Sequence, residues 1–306
     1  MRKIFKVILL LLLMPISMVQ ALEFESIKVA KNVYALVGPI TNRTPENLGN
    51  NATFGVVVTK DGVVLIDSGG SYLGAQDIHR SIQKITDKPI RYVINSGGQD
   101  HRWFGNGYFS ELGATIVSSK VARSDHEKRL VDQVGRLTAL IGDDKFKGTT
   151  EKYADILFDN DYELTLGGVK LEIHHVGQAH TPGDVYIWLP DRSVMFAGDI
   201  VFVERMLGVN EYSNSKHWVE VFESMAAYQP QHVVPGHGHP VSLAVAEKDT
   251  YQYLLALREK VGDFMQEGGD ASDIGDIDLT EFKYLYNYDT LSGRNALKVF
   301  TELEWE

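Results

Sequence analysis

Apolar and β-branched residues fall into short runs along this chain, broken by glycine, asparagine, aspartate and proline. VYALVG at residues 33–38 and NATFGVVVTKDGVVLIDSG at residues 51–69 read as strands, the second folding back at Lys60-Asp61-Gly62. SYLGAQDIHRSIQKI at 71–85 changes to helical spacing, and IRYVINS at 90–96 returns to a buried strand. ATIVSS at 114–119 is a further short strand, followed by a charged amphipathic stretch over 122–140. The alternation then repeats: hairpins over 162–177 and 185–202, a helix over 217–228, the strand HVVPG at 232–236 and a long helix over 244–266. Residues 270–290 are acidic and contain glycine, which predicts an exposed connection. Two runs of strands, each continuing into helix and strand units, predict an α/β domain of two sheets packed face to face with helices outside.

The N-terminus departs from this rhythm. Arg2, Lys3 and Lys6 precede the apolar run VILLLLLMPISMV, which ends at Val19-Gln20-Ala21, the pattern of a cleavable secretory signal over residues 1–21. That implies a periplasmic or secreted protein whose remaining roughly 285 residues, 22–306, form one domain, since no Pro/Gly/Ser linker divides them. A membrane anchor is the alternative, but the run is short for a span of about 20 residues. No later segment is apolar enough to span, so no membrane association is expected after cleavage.

Losing the three basic residues takes the formal charge from −11 to about −14, which argues against nucleic acid as a partner. There are no cysteines, so disulfides, thiolate nucleophiles and Cys-ligated metal are excluded, and any metal must be held by His, Asp, Glu or amides.

The unusual polar residues sit at strand ends, where a rigid sheet displays ligands. They are Asp67 in LIDSGG, the stretch YVINSGGQDHRWFGNGYF at 92–109, His180 in GQAHTPGD, Asp199 in MFAGDIVF, and His237 and His239 in VVPGHGHP. A lone aspartate after a strand is ordinarily a turn or helix cap, and a histidine among glycines is ordinarily a surface residue. Asp199 is harder to explain that way, because a carboxylate within an apolar run needs a cation or several donors.

In this order LIDSGG, AHTPGD, FAGD and VPGHG resemble the metallo-β-lactamase superfamily, over almost all of the mature chain. The resemblance implies an αββα sandwich with a metal site at one edge. FGN after the motif and the tail from Asn295 to Glu304 are similar to periplasmic members associated with quinoprotein and sulfur-oxidation systems. The departure lies in SGGQDHRW, where family members carry His-x-His-x-Asp-His. A gapless register places Gly97, Gln99, His101 and Arg102 at those positions, so both histidines of the first metal site are gone. A register shifted by one residue places Asp100 and His101 on the Asp-His pair.

What the resemblance implies is a single divalent ion, zinc foremost and iron or manganese as alternatives, with ligands drawn from His101, His180, Asp199 and His237. Such an ion activates water toward an ester, thioester or amide-type bond of a small-molecule substrate. His180, Arg102 and Asp100 are the candidate catalytic residues: His180 as base or as an orienting group, Arg102 as a positive charge facing an anionic transition state. Two other readings stay open, a non-catalytic binding protein in which Arg102 replaces the metal beside Asp199, and a different metal chemistry such as oxidation. Substrate choice is expected to rest with TNRTPENLGNN at 41–51 and the segment 205–213.

Overall fold

A computed structural model describes residues 23–306; the expected signal at residues 1–21 lies outside the described residues. Strands β1 (Glu25–Ala30), β2 (Val33–Val37), β3 (Thr53–Val58), β4 (Val63–Ile66), β5 (Ile90–Ile94), β6 (Thr115–Ser119) and β7 (Ile156–Phe158) form one sheet in that order. The first four pair antiparallel and the last four parallel. Strands β8 (Asp161–Leu166), β9 (Val169–His174), β10 (Tyr186–Leu189), β11 (Val194–Phe202) and β12 (His232–His237) form the second sheet, also in chain order, and only β11 with β12 is parallel.

Side-chain alternation divides each strand between two layers. Val64 and Ile66 of β4 face the second sheet, where they join Ile94, Ile173, Ile187 and Phe196. Val63 and Leu65 point the other way, into a layer with Ile78 and Ile82 of helix α1 (Tyr72–Gln83). On β11, Met195 and Ala197 likewise face outward, under Trp218 and Phe222 of a helix over Ser215–Ala226. The result is the expected αββα sandwich.

The remaining helices are α2 (Asp100–Trp103), α3 (Asn106–Glu111), α4 (Lys120–Ile141) and α5 (Asp143–Phe146), then α6, the helix over Ser215–Ala226, followed by α7 (Leu243–Ala246), α8 (Gln252–Gln266) and α9 (Tyr288–Leu303). Three features differ from the sequence expectation. The long helix over 244–266 is interrupted by a π-helical segment, Glu247–Tyr251, between α7 and α8. Residues 270–290 are not simply exposed: Ile274, Leu279, Phe282 and Leu285 are buried in the core shared with α8 and α9, spaced so that the polar residues between them stay outside. Strands β1 and β7 and helix α9 add to the expected set. Among the described residues no helix is long and apolar enough to cross a membrane.

Candidate metal centre

The functional loops emerge from one edge of the sandwich, at the C-terminal ends of β4, β5, β11 and β12. After β5 the chain makes a tight excursion into α2 and α3, closed by a reciprocal amide pair. Asn95 Nδ2 donates to Asn106 Oδ1 at 3.0 Å and Asn106 Nδ2 to Asn95 Oδ1 at 2.9 Å, while Asn95 Nδ2 also reaches the Arg102 carbonyl at 2.8 Å. Trp103 anchors the turn, stacked on His126 at 4.5 Å and on Tyr153 at 5.4 Å, with Nε1 donating to Gln133 at 2.9 Å. The loop before α2 lies flat against its neighbours: a Cβ at Gly97 would stand 2.3 Å from Asp184 Oδ1. In the gapless register this is the place of the family's first metal ligand, and any side chain there requires Asp184, held by Thr181 N at 2.7 Å, to move.

Arg102 turns inward from α2 and is fully buried. Nε and Nη2 grip Asp199 at 3.0 and 2.6 Å, Nη1 bonds Asp67 at 2.9 Å and the Thr53 carbonyl at 3.3 Å, and Nη2 also reaches the Gly236 carbonyl at 3.0 Å. All five guanidinium N–H groups are thereby engaged. With every N–H engaged, Arg102 ties β3, β4, β11 and β12 together beneath the site. Asp67 is its second carboxylate partner rather than a helix cap, a role taken by Ser71 on α1, and Asp67 also accepts from Ser96 N and Oγ, both at 2.7 Å. Burial pushes the Asp67 carboxyl up, against the pull of Arg102 and Ser96. For Asp199 burial acts in the same direction, yet the Arg102 guanidinium holds its carboxyl well below the usual range.

On the other side of Asp199 stand His101 and His237. His237 Nδ1 lies 2.8 Å from the Asn51 carbonyl, which can only accept, so Nδ1 carries the proton and Nε2 presents a lone pair. That lone pair faces Asp199 Oδ1 at 3.2 Å, and burial lowers the imidazole to about 3, so no proton fills the gap near neutral pH. Phe202 stacks on the ring at 4.7 Å and fixes its plane. His101 Nε2 is 3.3 Å from Asp199 Oδ2, and its Nδ1 is 3.3 Å from Asp100 Oδ1. Neither His101 nitrogen makes a hydrogen bond, although both are buried.

Two imidazole nitrogens and a carboxylate thus converge with their ligand atoms within 4.8 Å of one another. Orphaned buried nitrogens beside an ionised carboxylate are the donor set that a divalent cation satisfies. The residues fit a metal.

His180 does not join this group. Its Nδ1 donates to the Gly208 carbonyl at 3.0 Å, and Nε2 accepts from the Gln99 amide at 2.9 Å. Burial lowers His180 to about 4, which keeps it neutral and able to accept. The amide of Gln99 occupies the lone pair that a first-site metal would take. Asp100 also stays outside the group: its carboxylate pairs with Arg43 and accepts from His101 N at 2.8 Å. Burial opposes its ionisation, but Arg43 and His101 hold it below the usual range. It lies 3.3 Å from His101 Nδ1, and the three residues that do converge belong to both registers. His239 points away, bonded to Glu204 and Glu25.

A cavity of about 310 Å³ opens over the centre, with His101, His180 and His237 in its wall. Arg43 from the 41–51 loop and Arg205 from the segment after β11 flank it, so both loops expected to govern substrate choice do line it. The sequence reading missed Asn51, whose contribution is a backbone carbonyl and carries no residue-type signal. It also missed the Asn95 and Asn106 pair, whose reciprocity needs a fold to be seen.

A sequence profile of the metallo-beta-lactamase superfamily matches residues 49–237. The chain is 22% identical over 226 residues to a linear primary-alkylsulfatase from Pseudomonas sp., covering 61% of this chain and 41% of that protein. It is 26% identical over 185 residues to a type 2 metallo-beta-lactamase from Elizabethkingia meningoseptica, covering 59% of this chain and 66% of that protein. It therefore spans less than two thirds of the length of both relatives. Among solved structures, a metallo-beta-lactamase from Pontibacter korlensis superposes with a TM-score of 0.62 at 20% identity, over 76% of this chain and 99% of that one. The sec-alkylsulfatase Pisa1 from Pseudomonas sp. superposes with a TM-score of 0.70 at 16% identity, over 91% of this chain and 50% of that one. With the sandwich, the strand-edge site and a profile match over more than half its length, the chain belongs to the metallo-beta-lactamase superfamily.

Proposed function

We propose that this protein is an exported hydrolase working with one divalent metal ion, zinc foremost, held by His101, Asp199 and His237. The observation that carries this reading is the pair of unprotonated or orphaned imidazole nitrogens turned toward Asp199. A bound ion there supplies Lewis acidity and lowers the pKa of water, which suits cleavage of an ester, thioester or amide-type bond. The protein's own groups do the rest. The Asn51 carbonyl holds the His237 ring in orientation, the outer support that metal-binding histidines require, and the Asp100 carboxylate lies 3.3 Å from His101 Nδ1. Arg102 offsets the charge of Asp67 and Asp199. Held to about 4 and with both ring nitrogens engaged, His180 is a weak base near neutral pH; its part is to fix the Gln99 amide at the cavity wall, where Gln99 orients substrate. The closed space at Gly97 and the Gln99 amide on His180 support one metal rather than two.

One observation favours a second reading, a metal-free binding protein: Arg102 already neutralises Asp199. Metal content separates the two. Elemental analysis of the purified protein, dialysed without chelator, should find about one equivalent of metal, lost in His101→Ala and His237→Ala. No metal in the wild type after incubation with zinc, iron and manganese would overturn the hydrolase reading.

A further inference from the structure

Two guanidinium groups meet at the mouth of the cavity. Arg205 donates Nη1 to the carbonyls of Ile40 and Thr41, both at 2.6 Å, and Nη2 to Asn42 Oδ1 at 3.2 Å. Among the described residues no carboxylate pairs with it, and Nε and one Nη2 hydrogen have no acceptor. Arg43, on the loop that Arg205 grips, faces the same cavity and is tied to Asp100 through one nitrogen. Burial and the like charge of Arg43 lower Arg205 to about 10. A half-buried cation beside another cation, hydrogen-bonded only to neutral acceptors, is an arrangement that an anion relieves.

Another part of the wall has a different chemistry. Leu140 near the end of α4 is 45% exposed, and with Leu291 of α9, Phe202 and Met206 it lines the cavity. Leucine side chains left open beside a cationic rim have no polar partner to find there. They suit an apolar group that enters together with the anion.

From these two walls we infer that the site takes an organic anion with an alkyl or aryl arm, its charged head on Arg205 and Arg43 and its arm against Leu140 and Leu291. The inference rests on the reading that this cavity is the substrate site. It narrows that reading to anionic amphiphiles, with carboxylate and sulfate heads as the two sources to be told apart. Arg205 is a specificity residue in this scheme, separate from the groups around Asp199.

Calorimetric titration of the full mature protein with octanoate, octyl sulfate, neutral octyl glucoside and inorganic sulfate tests it. The expected result is saturable binding of octanoate or octyl sulfate, the tighter of the two naming the head group. Inorganic sulfate should bind more weakly and octyl glucoside not at all. Arg205→Gln should weaken anion binding by about tenfold or more, the loss of a charge-assisted contact, and Arg205→Lys should restore part of it. Leu140→Ser should weaken the octyl anions and leave inorganic sulfate unchanged. Unfolding midpoints of the variants, compared with wild type, identify any that fail to fold, and Arg205→Lys then supplies the readout. Octyl glucoside binding as tightly as the anions, no anion binding at all, or Arg205→Gln and Arg205→Lys both indistinguishable from wild type would overturn the inference. Metal content measured on the same preparation keeps the two failures apart. Anion binding without metal sinks the hydrolase and keeps the recognition, whereas metal-dependent hydrolysis that is indifferent to substrate charge and to Arg205 does the reverse.

Discussion

Arg102 shows at the scale of one residue how far the sequence could be read. That Asp199 needs a cation or donors was legible from its apolar surroundings, but not that it has both, a guanidinium on one side and two imidazoles on the other. Removing Arg102 strands two buried carboxylates, so Arg102→Ala is expected to destabilise the fold by about 3–5 kcal/mol in urea unfolding. Lysine offers no planar fork, and Arg102→Lys should recover little of that loss. At Gly97, restoring the family's histidine collides with Asp184. The double variant Gly97→His, Gln99→His should therefore lose stability without gaining a second equivalent of metal, which elemental analysis would detect. His126 carries a pH signature. Burial lowers it to about 3 from an ordinary 6.5, so it is neutral when folded but titrates when unfolded. Its contribution is complete above pH 6.5 and is lost as pH falls toward 3. Between pH 7 and 5 the melting temperature of the wild type should fall more steeply than that of His126→Phe.

The hairpins, the parallel units and the central helices were legible at the scale of elements because their residues alternate with the period of the element they form. Edge strands β1 and β7 were not, since each buries little and so shows little patterning. Helix α9 was missed for another reason: Gly293 and several β-branched or polar residues mask its apolar face, and only the packing of Val299 and Phe300 declares it. The π-helical turn before α8 cannot be read from sequence, yet it has a structural purpose. The ladder between β11 and β12 is irregular from Gly198 to Phe202. Thr250 from the π turn holds the end of β11, its Oγ1 accepting from Phe202 N at 2.9 Å and donating to Phe202 O at 2.6 Å. Asp249 beside it accepts from Glu204 N at 3.0 Å. Thr250→Val keeps the shape and removes both bonds, so a loss of about 1–3 kcal/mol is expected. The same change should loosen the end of the strand that carries Asp199 and presents Phe202 to His237.

Over the whole molecule, the strand-edge cluster follows from the fold: two sheets aligned face to face bring the loops after β4, β5, β11 and β12 to one rim. The sequence named those loops in order. What it could not supply was which side chains point into the cavity and which turn beneath it, a choice made by the one-turn helix α2, which sends His101 and Arg102 to opposite sides of Asp199. Because Arg102 holds the four strands together without help from an ion, chelation with EDTA should leave the far-ultraviolet circular dichroism unchanged. Readdition of zinc should restore full occupancy.

The saturated guanidinium has a consequence for timing. A scaffold that closes on its own cation needs no ion to complete it, so loading of the proposed ion would follow folding and could be reversed without undoing it. Were His101, Asp199 and His237 to hold the proposed ion, their occupancy would track the free metal around the protein, and the same chain would switch between a loaded and an idle form as that supply rises and falls.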